Sequence, residues 1–250
     1  MEMTINRHYE KKSDRIFSHN TSLDKIERKK WKKFLKRVRL FRFTPFVAFV
    51  LAAGSLATGK LHKKSDFDVI IGVKQDRIFT ARFFAVLFFT LLGWRRSKLD
   101  HKENASDKIC LNHFVTSKSY RLNPPHNEYW NYLYENLVPV MGNEDLIKEF
   151  FRANDWMSPP RSYKRDRRYL GKGNSLLKKF SEWFLGGRFG DEVEKILKRD
   201  QVKRIEAGLP QSLGYKPRFL YNDDELEFHP DTSRIEAVLK RLDKDYPRFL

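Results

Sequence analysis

Apolar residues recur along the chain with two periods, and the changes between them mark out elements. From about Asp24 to Phe41, the residues Trp31, Phe34, Leu35, Val38 and Phe41 fall at helical spacing. Arg28, Lys29, Lys30, Lys32, Lys33, Lys36, Arg37 and Arg39 fill the positions between them. This predicts a basic amphipathic helix, headed by Thr21 and Asp24 as a variant capping box. Its lysine face reads as solvated surface around a core-docked stripe, as a contact for a nucleic-acid backbone, or as a membrane-surface face. After Pro45 the pattern changes to the unbroken apolar run Phe46 to Ala53, which predicts a strand covered on both faces. A turn and a short helix lead to a second strand ending at Val73. Asp76 is placed to cap a helix running to about Leu92, which Gly93 closes. Lys108 to Thr116 alternates as a third central strand.

Farther along, Asn127 heads a helix whose stripe is Trp130, Leu133, Tyr134 and Leu137, stopped before Pro139. The stripe reads as core, with Tyr129 and Tyr132 able to stack on bases where exposed. Asn143 heads a short helix through Leu146, Ile147, Phe150 and Phe151. Ser158-Pro159-Pro160 marks a boundary, and the basic stretch Arg161 to Lys172 carries Tyr163 and Tyr169 within it. That stretch suits either a solvated linker or nucleic acid. Leu176 to Leu185 predicts a helix ended by Gly186-Gly187, and Asp191 is placed to cap the next one, ending at Gly208-Leu209-Pro210. Phe219 to Tyr221 and Leu226 to Phe228 flank a polar turn and predict a hairpin. Ser233 and Glu236 form a capping box before a last helix. No internal repeat is apparent. The expected organisation is a flexible tail over 1–20, an α/β core over 21–140, and a mostly helical extension with a small hairpin over 141–250.

Candidate chemistry sits between the first two strands. Gly54-Ser55 follows the first apolar run, and Asp66-Phe67-Asp68 opens the second, Val69-Ile70-Ile71. Side chains at i and i+2 on a strand share a face, so Asp66 and Asp68 point outward together while Phe67, Val69 and Ile71 point to the core. Two carboxylates this close repel unless a cation lies between them, and oxygen ligands suit Mg2+ or Mn2+. Gly54 permits close backbone approach, and Ser55 offers a hydroxyl and helix N-terminal amides to a phosphate.

This order of Gly-Ser, about ten residues, then Ser65 and Asp-x-Asp before aliphatics resembles the DNA polymerase beta nucleotidyltransferase superfamily, and most of all its small stand-alone domains. The resemblance spans about residues 44 to 116. It implies a mixed central sheet flanked by helices, with Gly54 and Ser55 holding a triphosphate and Asp66 and Asp68 as catalytic acids binding divalent metal. Lys60 joins the nucleotide-binding candidates. In that superfamily the third strand brings a third acid to face the pair. Here Asn112 or His113 takes that place, and Asn112 does so if Ile109, Leu111 and Val115 face the core. Asn112 is therefore the third candidate metal ligand, although an amide ligates without acting as a base.

Charge and cysteine usage narrow the partners. The 250 residues include 50 Lys and Arg against 32 Asp and Glu, a formal net charge of +18. Such a surplus attracts RNA and other polyanions. The single cysteine, Cys110, excludes an internal disulfide framework and fits a reducing cytoplasm. No Cys/His set has zinc spacing. Phe79 to Trp94 is apolar but short for a span and contains Arg82, so it reads as a buried helix, and no membrane partner is expected. Arg82 either reaches water, pairs with an acid or meets a phosphate. The expected function is transfer of a nucleoside monophosphate from a nucleoside triphosphate to a hydroxyl acceptor, assisted by Mg2+ or Mn2+. The alternatives are a catalytically weak fold that binds nucleotide or RNA, and an antitoxin-like modifier of a protein acceptor.

Overall fold

Strands that read as unbroken apolar runs need cover on both faces, and the sheet has it. The computed structural model describes residues 22–97, 105–123, 128–156, 166–208 and 218–229. The expected tail over 1–20, the Thr21 and Asn127 caps, the boundary at Ser158-Pro159-Pro160, the head of the basic stretch and the final helix with Ser233 and Glu236 lie outside those residues.

Six strands are described: β1 (Val47–Ala52), β2 (Phe67–Val73), β3 (Ile109–Val115), β4 (Val138–Gly142), β5 (Arg218–Tyr221) and β6 (Glu225–His229). They form one mixed sheet in the order β4-β1-β2-β3-β6-β5, with β2 and β3 parallel and the other neighbours antiparallel. Seven α-helices are described: α1 (Ser22–Val38), α2 (Gly54–Thr58), α3 (Ile78–Leu91), α4 (Glu128–Glu135), α5 (Glu144–Ala153), α6 (Leu176–Phe184) and α7 (Gly187–Ala207). One face of the sheet presents Phe67, Val69 and Ile71 to Trp31, Phe34 and Val38 of α1 and Ile78, Phe79 and Phe89 of α3. The other face presents Phe49, Leu51 and Ile70 to Trp130 and Tyr134 of α4 and Ile147 and Phe150 of α5. This is the mixed α/β (α+β) sheet flanked by helices that the sequence predicts.

Several details differ from the sequence reading. Pro139 does not merely stop a helix but lies within β4, where an edge position tolerates its missing donor. The hairpin expected in a C-terminal extension adds two strands to the core sheet, because β6 pairs with β3 from His113↔Glu227 to Val115↔Glu225. Asp76 sits at φ 59 and caps nothing on α3. That role falls to Glu194 of α7, whose carboxylate accepts from Phe79 N and Thr80 N at 2.8 Å each. Asp191 lies inside α7 and pairs with Arg77 at 2.6 Å. Arg82 donates to Gln201 Oε1 at 2.6 Å and lies over the Phe228 ring. Burial, with Arg95 nearby, lowers its pKa to about 10. Among the described residues no helix is long and apolar enough to cross a membrane.

Candidate active site

Asp66 immediately precedes β2 and Asp68 is its second residue, so the two share the face of Ile70, opposite Phe67 and Val69. The turn after β1 closes onto them. Ala53 N donates to Asp68 O at 3.0 Å, and Gly54 starts α2 at φ +59. A Cβ on Gly54 would lie 2.1 Å from Asp68 Oδ2. Glycine is thus required twice over at this position, for the left-handed backbone and for the contact with the carboxylate. Ser55 follows in the first turn of α2. Lys60 stands beyond the other end of the helix, its ammonium 4.7 Å from the Tyr132 ring centroid on α4.

The register of β3 decides what faces the acids. The parallel ladder pairs Phe67 with Ile109 and Asp68 with Cys110, then shifts before Ile70 meets His113. Ligand-capable atoms of Asp66, Asp68 and Cys110 all lie within 4.8 Å of one another. Cys110 is thus the β3 residue paired across from Asp68. The reason is register: the ladder starts at Ile109, which puts the start of β3, and not its middle, against the pair. Asn112 lies two residues on and is half-buried. His113 is turned to β6, with Nε2 3.0 Å from Glu225 Oε1.

A cation already stands beside the acids. After α3, residues Trp94 to Arg96 run along the start of β3, where Ile109 N donates to Trp94 O at 2.7 Å and Arg96 N to Ile109 O at 2.9 Å. This delivers Arg96 Nη1 to Asp66 Oδ2 at 2.6 Å. Burial pushes the Asp68 carboxyl up to about 7, the Asp66 charge adds to that rise, and Arg96 and the Cys110 thiol pull against it. Burial and the same two acids push the Cys110 thiol well above its usual range, so it stays neutral.

A second cation sets the loop that leads into Asp66. Lys30 of α1 is buried, and its ammonium donates to Lys63 O at 2.9 Å and Ser65 O at 2.6 Å and pairs with Asp107 at 2.8 Å. Asp107 N in turn donates to Ser65 O at 3.0 Å. Burial raises the Asp107 carboxyl, but Lys30 and Lys33 outweigh that and hold it below its ordinary value. In the sequence, Lys30 is one of the basic residues between the apolar positions of α1. A signal was present, because Lys30 lies four residues before Phe34 and thus on the buried stripe. Cys110 and Arg96 carried no such signal, since both depend on strand register.

With this geometry in place, comparison with known proteins gives one match. Residues 26–121, from α1 through the turn after β3, match the family of the nucleotidyltransferase domain. No curated protein and no solved structure matches the chain.

Proposed function

Residues 26–121 belong to the nucleotidyltransferase domain family of the polymerase beta-like superfamily, and from that premise we propose that the chain transfers a nucleoside monophosphate from a nucleoside triphosphate to a hydroxyl acceptor. The observation that carries the reading is the convergence of Asp66 and Asp68 with the Gly54-Ser55 turn, packed so closely that a Cβ on Gly54 would strike Asp68 Oδ2.

The donor set fits a hard divalent cation, Mg2+ or Mn2+, at the two carboxylates and not at the neutral Cys110 thiol. Asp66 and Asp68 would hold it. Such an ion supplies neutralisation of phosphate charge and acidification of a bound hydroxyl. Gly54 and Ser55 receive the β and γ phosphates on the turn, and Lys60 lies near enough in the chain to add a positive charge. Positioning and charge are most of what phosphoryl transfer requires of a protein. The acceptor oxygen bonds to the α-phosphorus, the bond from that phosphorus to the bridging oxygen breaks, and pyrophosphate leaves. Cys110 is held as a thiol and does not take the acceptor's proton, which on the proposed path passes to solvent.

Incubation with each α-labelled nucleoside triphosphate, alone and with RNA or protein extract as acceptor, tests this reading. Label on a macromolecule that disappears with Asp66→Ala/Asp68→Ala supports transfer. Cys110 in the third place favours a second reading, in which the site holds nucleotide without transferring it. Metal-dependent nucleotide binding with no label on any acceptor would select that reading.

A further inference from the structure

Helix α6 is docked with its polar side inward. On a helix packed against a protein body the apolar stripe faces the core. In α6 the stripe of Leu176, Leu177, Phe180, Trp183 and Phe184 faces solvent, each residue between 55% and 84% exposed. The opposite side makes the contacts with the body. Lys178 is buried and its ammonium donates to Val47 O. Glu182 Oε1 accepts from Phe46 N at 2.7 Å, and the N-cap Ser175 donates its hydroxyl to Arg42 O at 2.8 Å. Rolling the apolar side inward would strip a buried ammonium of its acceptor. The orientation is therefore fixed by the polar anchors.

Outside, the apolar residues are continuous. Phe180 and Trp183 have ring centroids 5.9 Å apart, and Phe184 meets Phe189 of α7, itself 55% exposed, at 5.2 Å. A contiguous exposed patch of this kind marks a contact surface. Lys172, Lys179 and Arg188 are exposed along the same stretch of chain.

Charge and shape decide the occupant. A second copy would bring another +18 against the first, and repulsion between like net charges opposes that pairing. The patch is a row of protruding side chains, which a deformable bilayer accepts without a preformed pocket. Leu, Phe and Trp beside Lys and Arg make up helices that lie in the interface of anionic membranes. We propose that α6 and the start of α7 seat the protein on an anionic lipid surface. The proposed association is a peripheral one, made by side chains on the surface of α6 and α7. The proposal departs from the expectation of no membrane partner and does not rest on the transfer reaction.

Co-sedimentation of the full chain with phosphatidylcholine vesicles, with and without phosphatidylglycerol, tests it. The expected result is binding only to the vesicles containing phosphatidylglycerol, weakened by salt. Partition should fall at least about tenfold in Phe180→Ser/Trp183→Ser and in Leu176→Ser/Leu177→Ser, with thermal unfolding unchanged because these side chains are exposed. Lys179→Glu/Arg188→Glu should also weaken it. Three results would overturn the proposal: no binding by the wild type, equal binding by wild type and the apolar variants, or a concentration-dependent dimer that the apolar variants abolish.

Discussion

Asp68 is the residue on which the site turns. Its folded-state pKa of about 7 exceeds the ordinary 3.8, burial being the main cause. Between those values the folded chain keeps a proton that the unfolded chain has lost, so Asp68 makes stability fall as pH rises from about 4 to about 7. Asp68→Asn should remove that slope, as read by denaturant unfolding across this range without metal. If Asp68 holds a divalent cation as proposed, the same protonation competes with it, because a ligating carboxylate must be ionised. Mn2+ affinity should therefore rise by about tenfold per pH unit below about 7 and level off above it, and titrations at several pH values would show whether it does. Gly54→Ala should leave the far sheet intact and cost about 1–3 kcal/mol from the left-handed backbone alone, with nucleotide binding lost because the Cβ displaces the turn from Asp68. At this scale the sequence exposes whatever local spacing encodes: Gly54, Ser55, Asp66 and Asp68 lie within one strand-turn-strand unit. Cys110 and Arg96 reach the acids only through the β2–β3 register and the bridge at Ile109, neither of which spacing reveals.

Among the elements, helices contribute to the site by fixing loops and each other's ends. α1 reads as a basic amphipathic helix, and most of its lysines are indeed on the surface, but Lys30 is buried as the clamp of the Lys63–Ser65 turn. Lys30→Met keeps the length and removes the ammonium, leaving two carbonyls and Asp107 without it. Thermal or urea unfolding should show a loss of about 1–3 kcal/mol, and metal-dependent nucleotide binding should weaken because the turn ahead of Asp66 loosens. Unchanged stability would mean that the clamp contributes nothing. Glu194 does for α3 what Asp76 was expected to do, and from 115 residues away in sequence, counted to Phe79. Such capping between helices cannot be read from an N-cap position, since the acid belongs to another element. The β4 strand escaped sequence reading for a related reason: proline signals a break unless the strand is known to be an edge.

At the scale of the whole molecule, one sheet joins regions that sequence composition separates. Strand β4 on one edge and the β5–β6 hairpin on the other bracket the three strands that carry the site, so chain beyond the matched segment 26–121 completes the sheet. The chain carries a net charge of +18, whereas the candidate site brings together two acids and one arginine. The most direct test of the central claim is calorimetric titration of each nucleoside triphosphate with Mg2+ or Mn2+, repeated without metal and with Asp66→Ala/Asp68→Ala. The account predicts binding of at least one nucleotide that requires both the metal and the two acids. Folded protein that binds no nucleotide, or binds equally well without metal and acids, would contradict it.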